Sequence, residues 1–150
     1  MNDTPILICY DGSDDAARGI ETAAALFGQR RAVVLDISPI LTPTESLAAT
    51  SSIVPGNAFE ELNLDDATRV AEKGTEIARS AGLDAESRGA VASPTWQGVV
   101  DVADDIQAAV IVIGSRGLEG VREIAEGSLS HQIAQHAGRP VLIVPPRGDH

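Results

Sequence analysis

Two glycine-serine steps carry the residues best suited to chemistry in this chain. Gly114-Ser115-Arg116-Gly117 follows the apolar, β-branched run Ala109-Val110-Ile111-Val112-Ile113. Ten residues after Gly117 comes Gly127-Ser128-Leu129-Ser130, which opens a helical pattern through Ile133, Ala134 and Ala137. The order is buried strand, glycine-rich loop, helix N-terminus. Glycines let a ligand approach the backbone without a Cβ in the way, and a helix start presents unpaired N–H groups with partial positive charge. Such a segment holds a phosphate with backbone and hydroxyl donors. The same glycines would also serve a loop that only turns the chain. Lysine-dependent phosphoryl transfer is excluded, because no Gly-x-x-x-x-Gly-Lys-Ser/Thr occurs and the one lysine, Lys73, falls in a distant helical pattern. The dinucleotide fingerprint after a first strand is absent as well.

The remaining candidates are fewer. Asp11-Gly12-Ser13 ends the first strand pattern, and a carboxylate there either faces the ribose hydroxyls of a nucleotide, or a cation beside it, or satisfies local N–H groups at a helix entry. Arg116 is either a phosphate partner or a solvated loop charge. Trp96 sits in a helix first turn and reads as packing. His131 and His136 lack a second ligand at metal spacing, so no metal-ligating residue is assigned. Cys9, the single cysteine, lies in a strand pattern and reads as a small buried hydrophobe. No nucleophile stands with a base, and no general base for phosphoryl transfer is evident.

The elements that must position these residues alternate regularly. Strands are expected at Pro5–Tyr10, Ala32–Ile37, Leu83–Val91 (weakly alternating, an edge), Ala109–Ile113 and Val141–Val144. Helices are expected after Ser13 with Ala16, Ile20, Ala23, Ala24 and Phe27 on one face, from Phe59 to Ala81, from a Ser93 cap and Pro94, and from Ser128. Residues 38 to 58, rich in Pro, Ser and Thr, read as a flexible loop, either a lid or a solvated linker. This alternation predicts an α/β fold, a doubly wound five-stranded parallel sheet with helices on both faces, in one domain spanning 1–150. Ligands in such sheets bind beyond the carboxyl ends of the strands, where strand order reverses. If the order is 3-2-1-4-5, which periodicity alone does not prove, Asp11 and Gly114 share one site.

Composition narrows the partners. The chain has 150 residues, 43% of them apolar and 22% charged, with aromatics at only 3%, so Ala, Val, Ile and Leu must build the core. A net charge of −11 argues against nucleic acid and anionic membranes, and leaves N–H groups, a lone Arg or a metal ion to neutralise a bound phosphate. No run reaches membrane-spanning length and no basic leader opens the chain, which fits a cytoplasmic protein.

Gly-x-x-Gly, nine residues, Gly-Ser, then one helix and Arg139-Pro140-Val141-Leu142-Ile143-Val144 resembles the ATP-binding branch of the universal stress protein family. The resemblance covers Ile6 to Pro145 and implies the strand order 3-2-1-4-5 of adenine nucleotide alpha hydrolase-like folds. It implies that the Ile37 backbone hydrogen-bonds adenine, that Gly114 to Gly117 lie along ribose and the first phosphates, and that Gly127, Ser128, Leu129 and Ser130 take the outer phosphates. Where many relatives have Leu-His-Val in strand two, this chain has Leu35-Asp36-Ile37. The candidate nucleotide-binding set is therefore Cys9, Asp11, Ile37, Gly114, Ser115, Arg116, Gly117, Gly127, Ser128, Leu129 and Ser130. The implied ligand is ATP, with AMP or ADP as alternatives and Mg²⁺ able to accompany it. The implied role is a nucleotide-dependent stress-response protein with little or no rapid turnover, dimeric through Val141, Leu142, Ile143 and Val144. Two other readings stay open, a nucleotide-free dimeric interaction module and a slow Mg-dependent ATPase.

Overall fold

A computed structural model describes residues 4–38, 56–115 and 129–146, with side chains from 64 onward in the second stretch. Five strands, β1 (Ile6–Cys9), β2 (Arg31–Ser38), β3 (Asp84–Val91), β4 (Ile111–Gly114) and β5 (Val141–Val144), form one parallel sheet. Its order is β3-β2-β1-β4-β5, as expected. The described helices are α1 (Asp14–Phe27), α2 (Gly56–Ser80), α3 (Thr95–Ile106) and α4 (Leu129–His136). The strands nearest the centre are apolar without alternation because both faces are covered. Leu7, Cys9, Val33, Leu35, Ile37, Ile111 and Ile113 face α3 and α4, while Ile6, Ile8, Tyr10, Val34 and Val112 face α1 and α2.

Local signals place the element ends. Ser13 caps α1, its hydroxyl accepting the Ala16 N–H at 3.1 Å, with Asp14 and Asp15 in the first turn. The α1 stripe packs as its spacing predicts, with Ala16, Ile20 and Ala23 buried. Two expectations shift. Helix α2 begins at Gly56, so residues 56–58 belong to a helix rather than to the loop; residues 39–55 lie outside the described stretches. The α3 cap position is Pro94, without a side-chain capping bond, one residue later than the expected Ser93 cap. Trp96 packs against the core and stacks on His136 of α4, ring centroids 4.1 Å apart and 21° from parallel.

Arg139 is a fastener that its sequence context did not reveal. Its Nη1 donates to the Ala103 and Ala108 carbonyls at 2.6 and 3.0 Å, and its Nη2 meets Asp104 at 2.6 Å. These carbonyls end α3 and lead into β4; the Ala103 carbonyl already accepts the Gln107 and Ala108 N–H groups, and the half-buried guanidinium adds a cation at this helix C-terminus.

The long helix α2 lies unusually close to the sheet at two glycines. A Cβ on Gly74 would stand 2.7 Å from the Tyr10 ring, and one on Gly89 would stand 2.5 Å from the Thr68 backbone nitrogen. At Gly89 the obstacle is helix backbone, which cannot rotate aside. Gly89→Ala is expected to lower unfolding free energy by about 1–3 kcal/mol through overpacking. Urea denaturation of wild type and variant checks it, and equal midpoints would contradict this packing.

Candidate functional site

The site grows from an inequality in strand length. β1 pairs with β4 only through Leu7↔Ile111 and Ile8↔Val112, and with β2 through Cys9↔Leu35. The last bond on the β2 side is from the Tyr10 N–H to the Leu35 carbonyl, 2.9 Å. On either side the sheet continues. β2 and β3 stay paired to Ser38↔Val91, with the Ala92 N–H on the Ser38 carbonyl at 3.1 Å, and β4 and β5 reach Gly114↔Val144. The central strand thus stops short between longer neighbours, which opens a crevice at the carboxyl end where the strand order reverses.

Peptide groups along a strand alternate in direction. Leu35 addresses β1 and Ser38 addresses β3, so the N–H and C=O of Ile37 point toward the space beyond the end of β1. That is an adjacent donor and acceptor on an otherwise apolar floor. Across the crevice lies the end of β4, and α1 crowds it, since a Cβ on Gly114 would stand 3.2 Å from the Asp15 carbonyl oxygen. The structure therefore gathers Asp11, Ile37, Gly114 and Ser115 at one end of the sheet. Leu129 and Ser130 are buried in the first turn of α4. Arg116, Gly117, Gly127 and Ser128 lie outside the described residues.

Asp11 has a local occupation. Its carboxylate accepts the Ser13 N–H at 2.9 Å, which is the helix-entry role weighed for it. The Cys9 thiol lies in the core cluster beneath α3 and α4 rather than in the crevice. Burial above all, and then the Asp36 and Asp11 carboxylates, push its pKa up, so it packs and does not attack. Among the described residues no three His, Cys, Asp or Glu side chains assemble a set that could hold a metal.

Asp36 is given no site role by sequence reasoning, although two signals point to it: an acid inside the apolar run Ala32 to Ile37, and its place where many relatives have His. It is 9% exposed, on the α1 and α2 face with Tyr10 and Val34. Burial, opposed by a hydrogen bond from the Ile37 N–H and reinforced by Asp11, raises its pKa from 3.8 to about 6. Burial likewise raises the Tyr10 phenol, with smaller contributions from Asp11 and Asp14.

A match to the model of the universal stress protein family runs over residues 4–145. The chain belongs to the universal stress protein family. Universal stress protein YxiE of Bacillus subtilis is 30% identical over 147 residues, covering 93% of this chain and 97% of that one. The structure of hypothetical protein MJ0577 matches the fold at a TM-score of 0.75 with 19% identity, covering 99% of this chain and 100% of that one. The universal stress protein of Archaeoglobus fulgidus in complex with dAMP matches at 0.62 with 23% identity, covering 94% and 97%. This universal stress protein shares their fold.

Asp36 makes stability depend on pH. Because its folded pKa lies above the unfolded 3.8, the native state binds more proton between 3.8 and about 6. Its contribution is full below 3.8 and is lost as pH rises through about 6. Asp36→Asn is expected to be the more stable protein at neutral pH, with the difference vanishing toward pH 3.8. Thermal melts of both proteins across that window check this; parallel curves would contradict a buried, proton-binding Asp36.

Proposed function

We propose that this universal stress protein binds an adenine nucleotide, ATP first and AMP or ADP as alternatives, and works as a nucleotide-dependent stress-response protein without rapid turnover. The observation that carries the reading is the reach of β2 beyond β1. The Ile37 N–H and C=O form a donor beside an acceptor, which complements a ring nitrogen next to an exocyclic amino group, as on adenine. The sugar and phosphates would then extend toward Gly114, Ser115 and the glycine-serine loop. Backbone N–H groups and hydroxyls would hold the phosphates there, with Arg116 and Mg²⁺ as the available positive charges. The Archaeoglobus relative with dAMP supports the ligand class. No side chain in the described crevice stands as a nucleophile with its base, which favours binding over catalysis.

Mass spectrometry and absorbance of the material released on denaturing the purified protein test this directly. About one adenine nucleotide per chain is expected from wild type, and a loss in Gly117→Ala, a glycine of the sequence motif. No nucleotide, and no calorimetric heat with added Mg-ATP, would refute it in favour of the interaction module.

A homodimer through β5 completes the proposal. Among the described residues β5 is an edge strand, Val141 and Leu142 are half-buried, and Ile143 is 41% exposed, so a strand with apolar side chains has one edge without a neighbouring strand. Ile143→Lys is expected to give monomers by light scattering, and an unchanged dimer would exclude this edge.

A further inference from the structure

The residue whose peptide faces the crevice is gripped from one side by a glycine. Ile37 is buried on the α3 and α4 face of the sheet, and α3 passes against it at Gly98. A Cβ on Gly98 would stand 2.8 Å from the Ile37 Cδ1 and 2.6 Å from the Ala92 Cβ. The helix reaches both side chains only because residue 98 has none. Ala92 in turn gives its N–H to the Ser38 carbonyl at 3.1 Å, just beyond the Ser38↔Val91 pair. Gly98 therefore bears on Ile37 directly, and through Ala92 on the residue that follows it.

We propose that Gly98 is a positioning residue for the nucleobase: the close approach it permits holds the Ile37 N–H and C=O where they accept an aminopurine and reject an oxopurine. The inference rests on the adenine-nucleotide reading above and adds what sets the base selectivity of that site. Adenine offers a ring acceptor beside an amino donor, whereas hypoxanthine offers a ring N–H beside a carbonyl. One peptide edge thus meets the first with two hydrogen bonds and the second with two like poles. The discrimination depends on placement, because hydrogen bonds weaken steeply away from their preferred distance and angle.

The neighbours of Gly98 leave this grip little freedom. Trp96 packs on the same core cluster and stacks on His136 of α4. Val99 is fully buried in that cluster with Leu35, Ile37 and Ile113. Helix α3 is thus held on both sides of Gly98. The Ala92 Cβ is fixed to its backbone and cannot rotate aside, so a methyl added at residue 98 must be met by a larger shift. Either α3 lifts away from Ile37 or the Ala92 end of the β2–β3 ladder moves, and both displace the Ile37 peptide.

The test is calorimetric titration of the full chain with ATP and with inosine triphosphate. The two differ only where the base meets Ile37, so the ratio of their affinities cancels the sugar and phosphates. Wild type is expected to favour ATP by about fivefold to about a hundredfold. Gly98→Ala should bring the ratio toward one, chiefly by weakening ATP. In Gly98→Ala/Ala92→Gly a methyl is removed where the new one arrives, and the preference for ATP should return; a ratio still near one would overturn the close-approach explanation. Lower stability alone does not change the ratio in a protein that urea denaturation shows to be folded. A folded Gly98→Ala with the wild-type ratio would overturn the role of Gly98 and leave the nucleotide site standing. Should Gly98→Ala not fold, Ile37→Val decides in its place. It lacks the Cδ1 that α3 grips, so its ratio should fall below wild type, and an unchanged ratio would overturn the proposal. Equal binding of both nucleotides by wild type would overturn this inference alone. Binding of neither would overturn the nucleotide reading, and this inference with it.

Discussion

Every backbone N–H and C=O in a parallel sheet needs a partner, and strands of unequal length cannot all supply one. In this protein β1 is the pivot. It sits between β2 and β4, and it leaves the sheet at Tyr10 while both neighbours continue. The turn at Gly12 and the Ser13 cap carry the chain straight into α1. Everything at the carboxyl end follows from that early exit. A peptide group of β2 is left facing open space, the end of β4 comes against the first turn of α1, and a polar floor appears in an otherwise aliphatic interior.

The rest of the molecule holds this geometry in place. Branched aliphatic side chains pack both faces of the sheet, and aromatics are too few to do so. Helix α2 is drawn close by the missing side chains of Gly74 and Gly89, and that closeness is what buries Asp36. At the opposite end Arg139 ties the α3 terminus and the entry to β4 through three oxygen acceptors. One end of the sheet is thus fastened by a cation on carbonyls, while the other is left acidic and open.

That acidity gives the crevice its character. Among the described residues at this end, Asp11, Asp14, Asp15 and Asp36 gather, and Arg18 reaches the Pro145 carbonyl at 3.2 Å. An anionic ligand in such a place must be held by oriented N–H groups rather than by net charge. Each of these carboxylates adds to the negative potential that such a ligand would have to overcome.

Much of this was legible in the chain itself. Apolar runs without alternation marked the central strands, the Ser13 cap and the 3.6-residue stripes marked the helices, and the glycine-serine spacing marked the family and its strand order. These are local signals, set by neighbours within one turn or one strand. The role of Arg139, the burial of Asp36 and the direction of the Ile37 peptide were not legible, because each depends on where other strands stop and how near α2 comes. Periodicity says which face a residue occupies. Only the assembled sheet decides which hydrogen bonds are left unmade, since a strand's partners are distant in sequence and their lengths need not agree.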